Sequence, residues 1–539
     1  MFTLKNKSLQ GPVLVNEEKD NTYIYTGEPV YGFDVHNSVF LVSSVFMLLL
    51  VITSIMFPEE ANSALVSIRS WIISDLDWLF MASANYFVFF CFLLIILPTG
   101  KIRLGGNSAK PEYSTFSWLC MLFASGIGIG LMFWGVSEPV AYYTNWYGTP
   151  LNVEPNTPAA AHLALSSATY HWGIHGWAIF AMIGLSLAYF CYNKGLPFTV
   201  RSTLYPLLGE RCWGSWGSFI DVISSIATVF GLATSLGLGA QQVSSGLHHL
   251  LGIDNNIVTQ LSVIAIISAI AMFSIFRGMH GGVRLLSNIN IIMALSLLIA
   301  ILVLGPTELL LQDSAMTLLG YVEYIIPLSN WIGRSDTTWM QGWTVFYWAW
   351  WMSWAPFVGL FIAKISKGRT VREFLSATLF IPSILIGIWM AVMGGTAIDQ
   401  INHGVGGLAS GLSDVSLALY QMYEGLSFSN VLSAISIVLL IIFFVTSADS
   451  GSIVMDTITA GGNINTPTKQ KLFWAIIIGL IAGALLYGGG ANALSALQAA
   501  TVSAGLPFMI ILLIMSWGLY RELSSDTKKN NVTVNYNIK

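Results

Sequence analysis

The chain has 539 residues, of which 55% are hydrophobic and only 9% are charged, with 23 Lys and Arg against 27 Asp and Glu for a formal net charge of −4. One core cannot hide that much apolar surface, so the composition excludes a soluble globular domain and places the chain in a bilayer. The small net charge points to no particular partner, and no nucleic acid is expected.

Residues 1–36 are polar and are expected to form a mobile cytoplasmic segment. They are no signal peptide, because the apolar run that follows is long and lacks a small-residue cleavage site. Twelve runs long enough to cross about 30 Å of hydrocarbon come next. They lie near 38–57, 78–97, 115–142, 159–192, 218–240 and 257–276, then 285–305, 343–363, 374–396, 430–458, 472–489 and 493–520. The chain then divides into two peripheral spans (37–112), spans three to seven (113–305), an extracytoplasmic loop (306–342), spans eight to twelve (343–520) and a short cytoplasmic tail (521–539).

Charge supports this order. With both termini inside, only Arg69 and Arg334 of the 23 basic residues fall in outward loops. Lys101, Arg103, Lys194, Arg201, Lys364, Lys367 and the others fall inside, as the positive-inside rule requires. The expected fold is an all-α polytopic membrane protein with twelve transmembrane helices. Its four cysteines, Cys91, Cys120, Cys191 and Cys212, have no metal-ligand spacing and suggest no disulfide framework.

The third span carries GIGIG, with Gly126, Gly128 and Gly130, and the eighth carries Pro356 and Gly359. Such residues open a helix, which is tolerable at membrane depth only where the freed backbone faces protein or a polar cavity. The two breaks stand five spans apart. Interrupted helices at matching places in two halves point to an inverted-repeat secondary transporter with its site between the repeats.

In the fourth span, TYHWGIHGWAIF places Trp172, Phe180 and Trp177 at about 0°, 80° and 140° around the axis. The eighth span reads WTVFYWAWWMSWAPFVGLF. At about 100° per residue, Trp343, Tyr347, Trp350, Trp351, Trp354 and Phe361 share one face while Trp348 points elsewhere. Trp350, Trp351 and Trp354 sit about 10 to 17 Å into the run, too deep for an interfacial aromatic belt. Helix packing is one explanation for such a face. The other is a cage for a soft, bulky cation such as a trimethylammonium group, which offers no hydrogen-bond donor of its own.

These stretches, with YNKGLPFTVRSTLYPLLG and FFVTSADSGS, resemble the betaine/carnitine/choline transporter family from span three to span ten. The resemblance implies a carrier of the bacterial inner (plasma) membrane with a LeuT-like core of five-plus-five inverted repeats, two extra N-terminal helices and a homotrimeric assembly in lipid. Trp172, Trp177 and Trp351 match the family's cage around the cationic head, with Trp354 contributing. Trp350 and Phe361 match residues along the route in and out. Phe180 stands where betaine carriers of the family commonly have tyrosine, so the π face survives without the phenol oxygen.

By the same resemblance, Na+ is the coupling ion, held by carbonyls of Ala124, Ile127 and Phe443 and hydroxyls of Thr446 and Ser447. Simple back-bonding to the preceding turn is the alternative for the two hydroxyls. A second Na+ site would use Thr228, but Leu232 occupies its partner position. Sodium-independent exchangers of the family carry an arginine in the seventh span, where only neutral residues follow Arg284. Asp449 is an intramembrane acid, functional by default or a brace of the tenth span.

Choline has no carboxylate, so a carrier preferring it gains from an acid near the cage. GIGIG holds none, and Glu138 lies more than two turns beyond it. Sequence reasoning therefore favours a methylated zwitterion, glycine betaine or dimethylsulfoniopropionate, over the alternatives of a proton-coupled choline importer or a sodium-independent carnitine/betaine exchanger. His171 and His175 are four apart but lack an evident third ligand, so they read as structural rather than metal-binding. The Asp449–Ser452 stretch has no histidine partner that would make a nucleophilic site. No enzyme and no ion channel is expected.

Overall fold

A computed structural model describes residues 13–16, 22–25, 38–126, 128–277 and 282–536. Ile127, most of residues 1–36 and the last three residues lie outside the described residues. Each of the twelve apolar runs forms helix. Among the described residues, ten helices are long and apolar enough to cross a membrane alone. The seventh run, within Gly282–Leu304, passes that test only jointly with Thr307–Ser329, from which it is bent by 120°. The third is two shorter helices, Thr115–Gly126 and Ile129–Thr144.

Local sequence explains where these helices start and stop. The ninth span, Val371–His403, opens on a reciprocal cap in which the Thr370 hydroxyl accepts from the Glu373 amide (3.2 Å) and the Glu373 carboxylate accepts from the Thr370 amide (2.8 Å). It ends at Gly404, whose φ of 65° is left-handed and costs glycine nothing.

The fourth and eighth spans form the centre. In the most apolar window of the fourth, 94% of residues are buried, against 22% in the sixth. The sixth presents Ile266, Phe273 and Phe276 outward, as a lipid-facing helix should. Ile174–Ala188 of span four packs against Phe346–Ile365 of span eight, which in turn packs against the fifth and twelfth spans.

Three segments differ from expectation. The 306–342 loop contains a 23-residue helix, Thr307–Ser329, packed against the fourth and ninth spans. Its apolar residues are spaced to cover those helices, but it is too interrupted by Glu, Gln and Asp to register as a span of its own. The tail continues the last helix to Tyr536. It is fastened to the C-terminal end of span four, where Asp526 accepts from Tyr189 Oη (2.6 Å) and Lys194 Nζ (3.1 Å), and Glu522 lies 3.2 Å from the same ammonium. The leader carries a two-stranded antiparallel hairpin, Val13–Asn16 with Thr22–Tyr25, and the Ile24 amide donates to the Gly461 carbonyl (2.9 Å).

Candidate functional site

The fourth span is broken as well as the third. It runs Pro158–Trp172 and resumes at Ile174, with Gly173 (φ −93°, ψ −144°) between. The Ile174 amide, which loses its helical acceptor there, donates to Tyr321 Oη at 2.8 Å. The His171 carbonyl accepts from Trp351 Nε1 at 2.9 Å. The break thus ties a ring of the eighth span to the backbone of the fourth. Tyr321→Phe should leave the amide without a partner and lower stability by about 1 to 3 kcal/mol, read as a fall in the unfolding midpoint of the detergent-solubilised protein.

Beside this break lies a small cavity lined by Gly128, Gly130, Trp172, Phe180, Trp350, Trp351 and Trp354. Its walls are indole and phenyl rings set edge to face. Trp172 meets Trp350 at 5.8 Å and 82° and Trp351 at 5.9 Å and 74°, and Phe180 lies 4.6 Å from Trp351. Among the described residues, no charged side chain lines it, and the indole N–H groups of Trp350 and Trp354 have no hydrogen-bond partner.

Glycines allow the rings to come this close. A Cβ on Gly130 would stand 2.7 Å from the outer edges of both Trp172 and Trp350. One on Gly176 would fall 2.3 Å from the Trp351 ring, and one on Gly231 would fall 2.4 Å from Trp354. Spans three, four and five each leave out a side chain where an indole must sit.

Of the predicted cage residues, Trp172, Phe180, Trp351 and Trp354 meet at this cavity. Trp350, assigned to the route, is one of its walls. Trp177 does not line it. That ring is fully buried behind the wall, 5.9 Å from Phe180 and 6.1 Å from Trp351, consistent with its different helical azimuth. Phe361 is half-buried further along the eighth span and also lies outside the cavity. Trp343 lies outside the cavity, within the π-turn Met340–Val345. It packs instead on Trp134 and Tyr142. Trp348 points elsewhere, as expected, and stacks on His175 at 5.3 Å.

Gly126 ends the first half of span three, and Gly128 precedes its second half with no side-chain cap. The helix from Ile129 therefore directs uncapped amides and the positive end of its dipole toward the cavity.

The ion-site residues are only partly placed. Ala124 lies in the helix ending at Gly126, and Ile127 is outside the described residues. Phe443, Thr446 and Ser447 share the helix Ser429–Thr459. Thr446 Oγ1 donates to the Ile442 and Phe443 carbonyls (2.9 and 3.0 Å) and accepts from Asn290 (3.3 Å). Thr228 back-bonds to Ser224 (2.8 Å). Asp449 Oδ2 accepts from Ser274 on the sixth span (2.8 Å), bracing span ten against span six.

Residues 38–528 match the family described as BCCT, betaine/carnitine/choline family transporter. The chain belongs to this family. It is 53% identical over 498 residues to glycine betaine transporter 1 of Vibrio parahaemolyticus, covering 92% of this chain and 95% of that one. It is 51% identical over 503 residues to a glycine betaine/proline/choline/ectoine transporter of the same organism (92% and 88% covered). A glycine betaine transporter of Bacillus subtilis is 39% identical over 497 residues (90% and 96% covered). This family member is therefore a multi-pass membrane transporter and not an enzyme.

Sequence reasoning set aside one residue that the structure brings to the cage. Glu138 is fully buried, and its carboxylate accepts from Trp172 Nε1 at 2.9 Å. A sequence signal for it existed, since an acid within an apolar span is a functional candidate by default. Distance along the helix was the wrong measure, because the contact reaches the cage from a different span. His171 and His175 are both engaged inside the bundle, His171 with Glu138 and Thr344 and His175 with Asn85 and Ser329.

Proposed function

We propose that the protein is a secondary active importer of betaine-type compatible solutes across the bacterial inner membrane, coupled to Na+. The observation that carries this reading is the ring-walled cavity with no charged lining, which suits a methylated onium group. Indole faces turned to such a cavity offer a desolvated cation about 2 kcal/mol or more. The carboxylate of a zwitterion finds its counterpart at the uncapped start of the helix at Ile129 and in the two unpartnered indole N–H groups. Bacterial relatives named as glycine betaine transporters support glycine betaine as a substrate.

In this reading Trp172, Phe180, Trp350, Trp351 and Trp354 hold the solute, Trp177 supports them from behind, and Phe361 lies on the inward route. Twelve crossings with both ends cytoplasmic, two inverted repeats of five spans and a homotrimer complete the proposal. Alternating access would come from the repeats moving about the two broken helices. Na+ is favoured as co-substrate because the tenth span offers neutral oxygens at Phe443, Thr446 and Ser447, and because no arginine replaces it in span seven beyond Arg284. Leu232 argues against a second ion at Thr228.

Uptake of labelled glycine betaine, choline, carnitine and dimethylsulfoniopropionate into proteoliposomes, with Na+ and proton gradients imposed separately, tests the assignment. Accumulation of betaine driven by inward Na+ is expected. Uptake that follows only a proton gradient, or counter-solute alone, would replace the coupling assignment with one of the two alternatives. Phe180→Tyr restores a phenol to the wall and should change the ranking of the four solutes by roughly threefold or more. An unchanged ranking in competition assays would remove this side chain from selectivity.

A further inference from the structure

Four polar groups converge on the carboxylate of Glu138. Oε1 accepts from Tyr142 Oη at 2.8 Å and lies 2.8 Å from His171 Nδ1, which is itself 3.0 Å from Tyr142 Oη, while Oε2 accepts from Trp172 Nε1 at 2.9 Å and from the hydroxyl of Tyr347. Tyr142, Tyr347 and Trp172 donate to the two oxygens, and with the imidazole proton on Nδ1 His171 adds a fourth donor, which is the surrounding of an anion. The far nitrogen of His171 lies 2.9 Å from Thr344 Oγ1. With the imidazole proton on Nδ1, Thr344 donates to Nε2, the ring is neutral, and the charge on Glu138 stands uncompensated. Among the described residues His171 is its only ion-pair neighbour. Arg334 sits beyond the ring of Trp339 and is paired with Asp336 at 2.6 Å.

A buried negative charge therefore lies one indole away from the solute cavity. We propose that Glu138 is a specificity-determining and positioning residue of this carrier, acting through Trp172. The hydrogen bond fixes the plane of that indole. It also pushes electron density into the ring, making the face turned to the cavity more attractive to a cation. The field of the carboxylate adds to this in the dry interior, where charge carries further than in water. Both effects favour solutes with a net positive charge over zwitterions, whose own carboxylate feels the opposite force. Glu138 thus widens the accepted solutes from betaines toward quaternary ammonium cations that lack a carboxylate, and the inference that the break region holds no influential acid is reversed.

This proposal rests on the cage being the solute site, and its test separates the two. Wild type, Glu138→Gln and Tyr142→Phe are purified, and the quenching of intrinsic tryptophan fluorescence is titrated with choline and with glycine betaine. Wild-type protein that binds neither solute overturns the cage assignment itself. If betaine binds, Glu138→Gln should weaken choline by about tenfold more than it weakens betaine, while Tyr142→Phe, which removes a hydroxyl from the cluster but no charge, should leave the ratio within about twofold. Equal weakening of both solutes by Glu138→Gln, or the same change of ratio from Tyr142→Phe, would reduce Glu138 to a structural brace and overturn the proposal. Should the Gln variant not fold, the wild-type ratio decides. Choline binding within tenfold of betaine upholds the proposal, and no choline binding at tens of millimolar overturns it.

Discussion

Replacing Trp351 with alanine is expected to abolish uptake of every accepted solute. The ring touches Trp172, Trp177 and Phe180, and its N–H is anchored on the His171 carbonyl. Its removal deletes one wall and releases two others. Loss of a desolvated cation–π contact and of the order in its neighbours together predict a rise in KM of about 100-fold or more, equivalent to about 2.7 kcal/mol. Truncating a buried tryptophan also costs about 3 to 5 kcal/mol of stability, so the assay must be paired with size-exclusion and thermal unfolding of the same preparation. Trp351→Phe keeps a π face but not the anchored N–H, and it should retain measurable uptake with a raised KM. A folded Trp351→Ala protein that transports like wild type would refute the cage.

The second large effect is expected from a single methyl group. Gly130→Ala introduces a Cβ that falls 2.7 Å from the edges of both Trp172 and Trp350. Those atoms are the outer ends of two side chains, so the protein can accommodate the methyl by swinging the indoles, at a cost of about 1 to 3 kcal/mol in overpacking. The rings that must move are the walls of the cavity. Folding should therefore survive while solute affinity falls by about tenfold or more, with the bulkiest onium heads affected most. Titration with a series from dimethylglycine to glycine betaine checks this, because the dimethyl compound should lose least. An equal loss across the series would mean that Gly130 acts on the opening of the helix at residue 128 and not on the width of the cage.

Much of this architecture was legible along the chain, for reasons that differ between elements. Twelve apolar runs and the placement of basic residues follow from the solvent, since a bilayer penalises polar groups wherever they occur in the sequence. The break at GIGIG and the shared azimuth of Trp350, Trp351 and Trp354 follow from local geometry. By contrast, the break at Gly173 carried little signal, because a lone glycine in an apolar helix is ordinary until Tyr321 is seen to serve the freed amide. The π-turn at Met340–Val345 was likewise invisible. The helix at Thr307–Ser329 was obscured by its polar residues.

The residues by themselves determined the membrane class, the helical periods and the kind of chemistry an indole-rich face can offer, because these depend on composition and on angles within one helix. Tertiary structure decided which rings share a cavity and what stands behind them. It set Trp350 in the wall and Trp177 at its back, and it carried the carboxylate of Glu138 to the N–H of Trp172. Such choices depend on how separate helices cross, and contact between spans is set by packing across the bundle, which no spacing within a single span encodes.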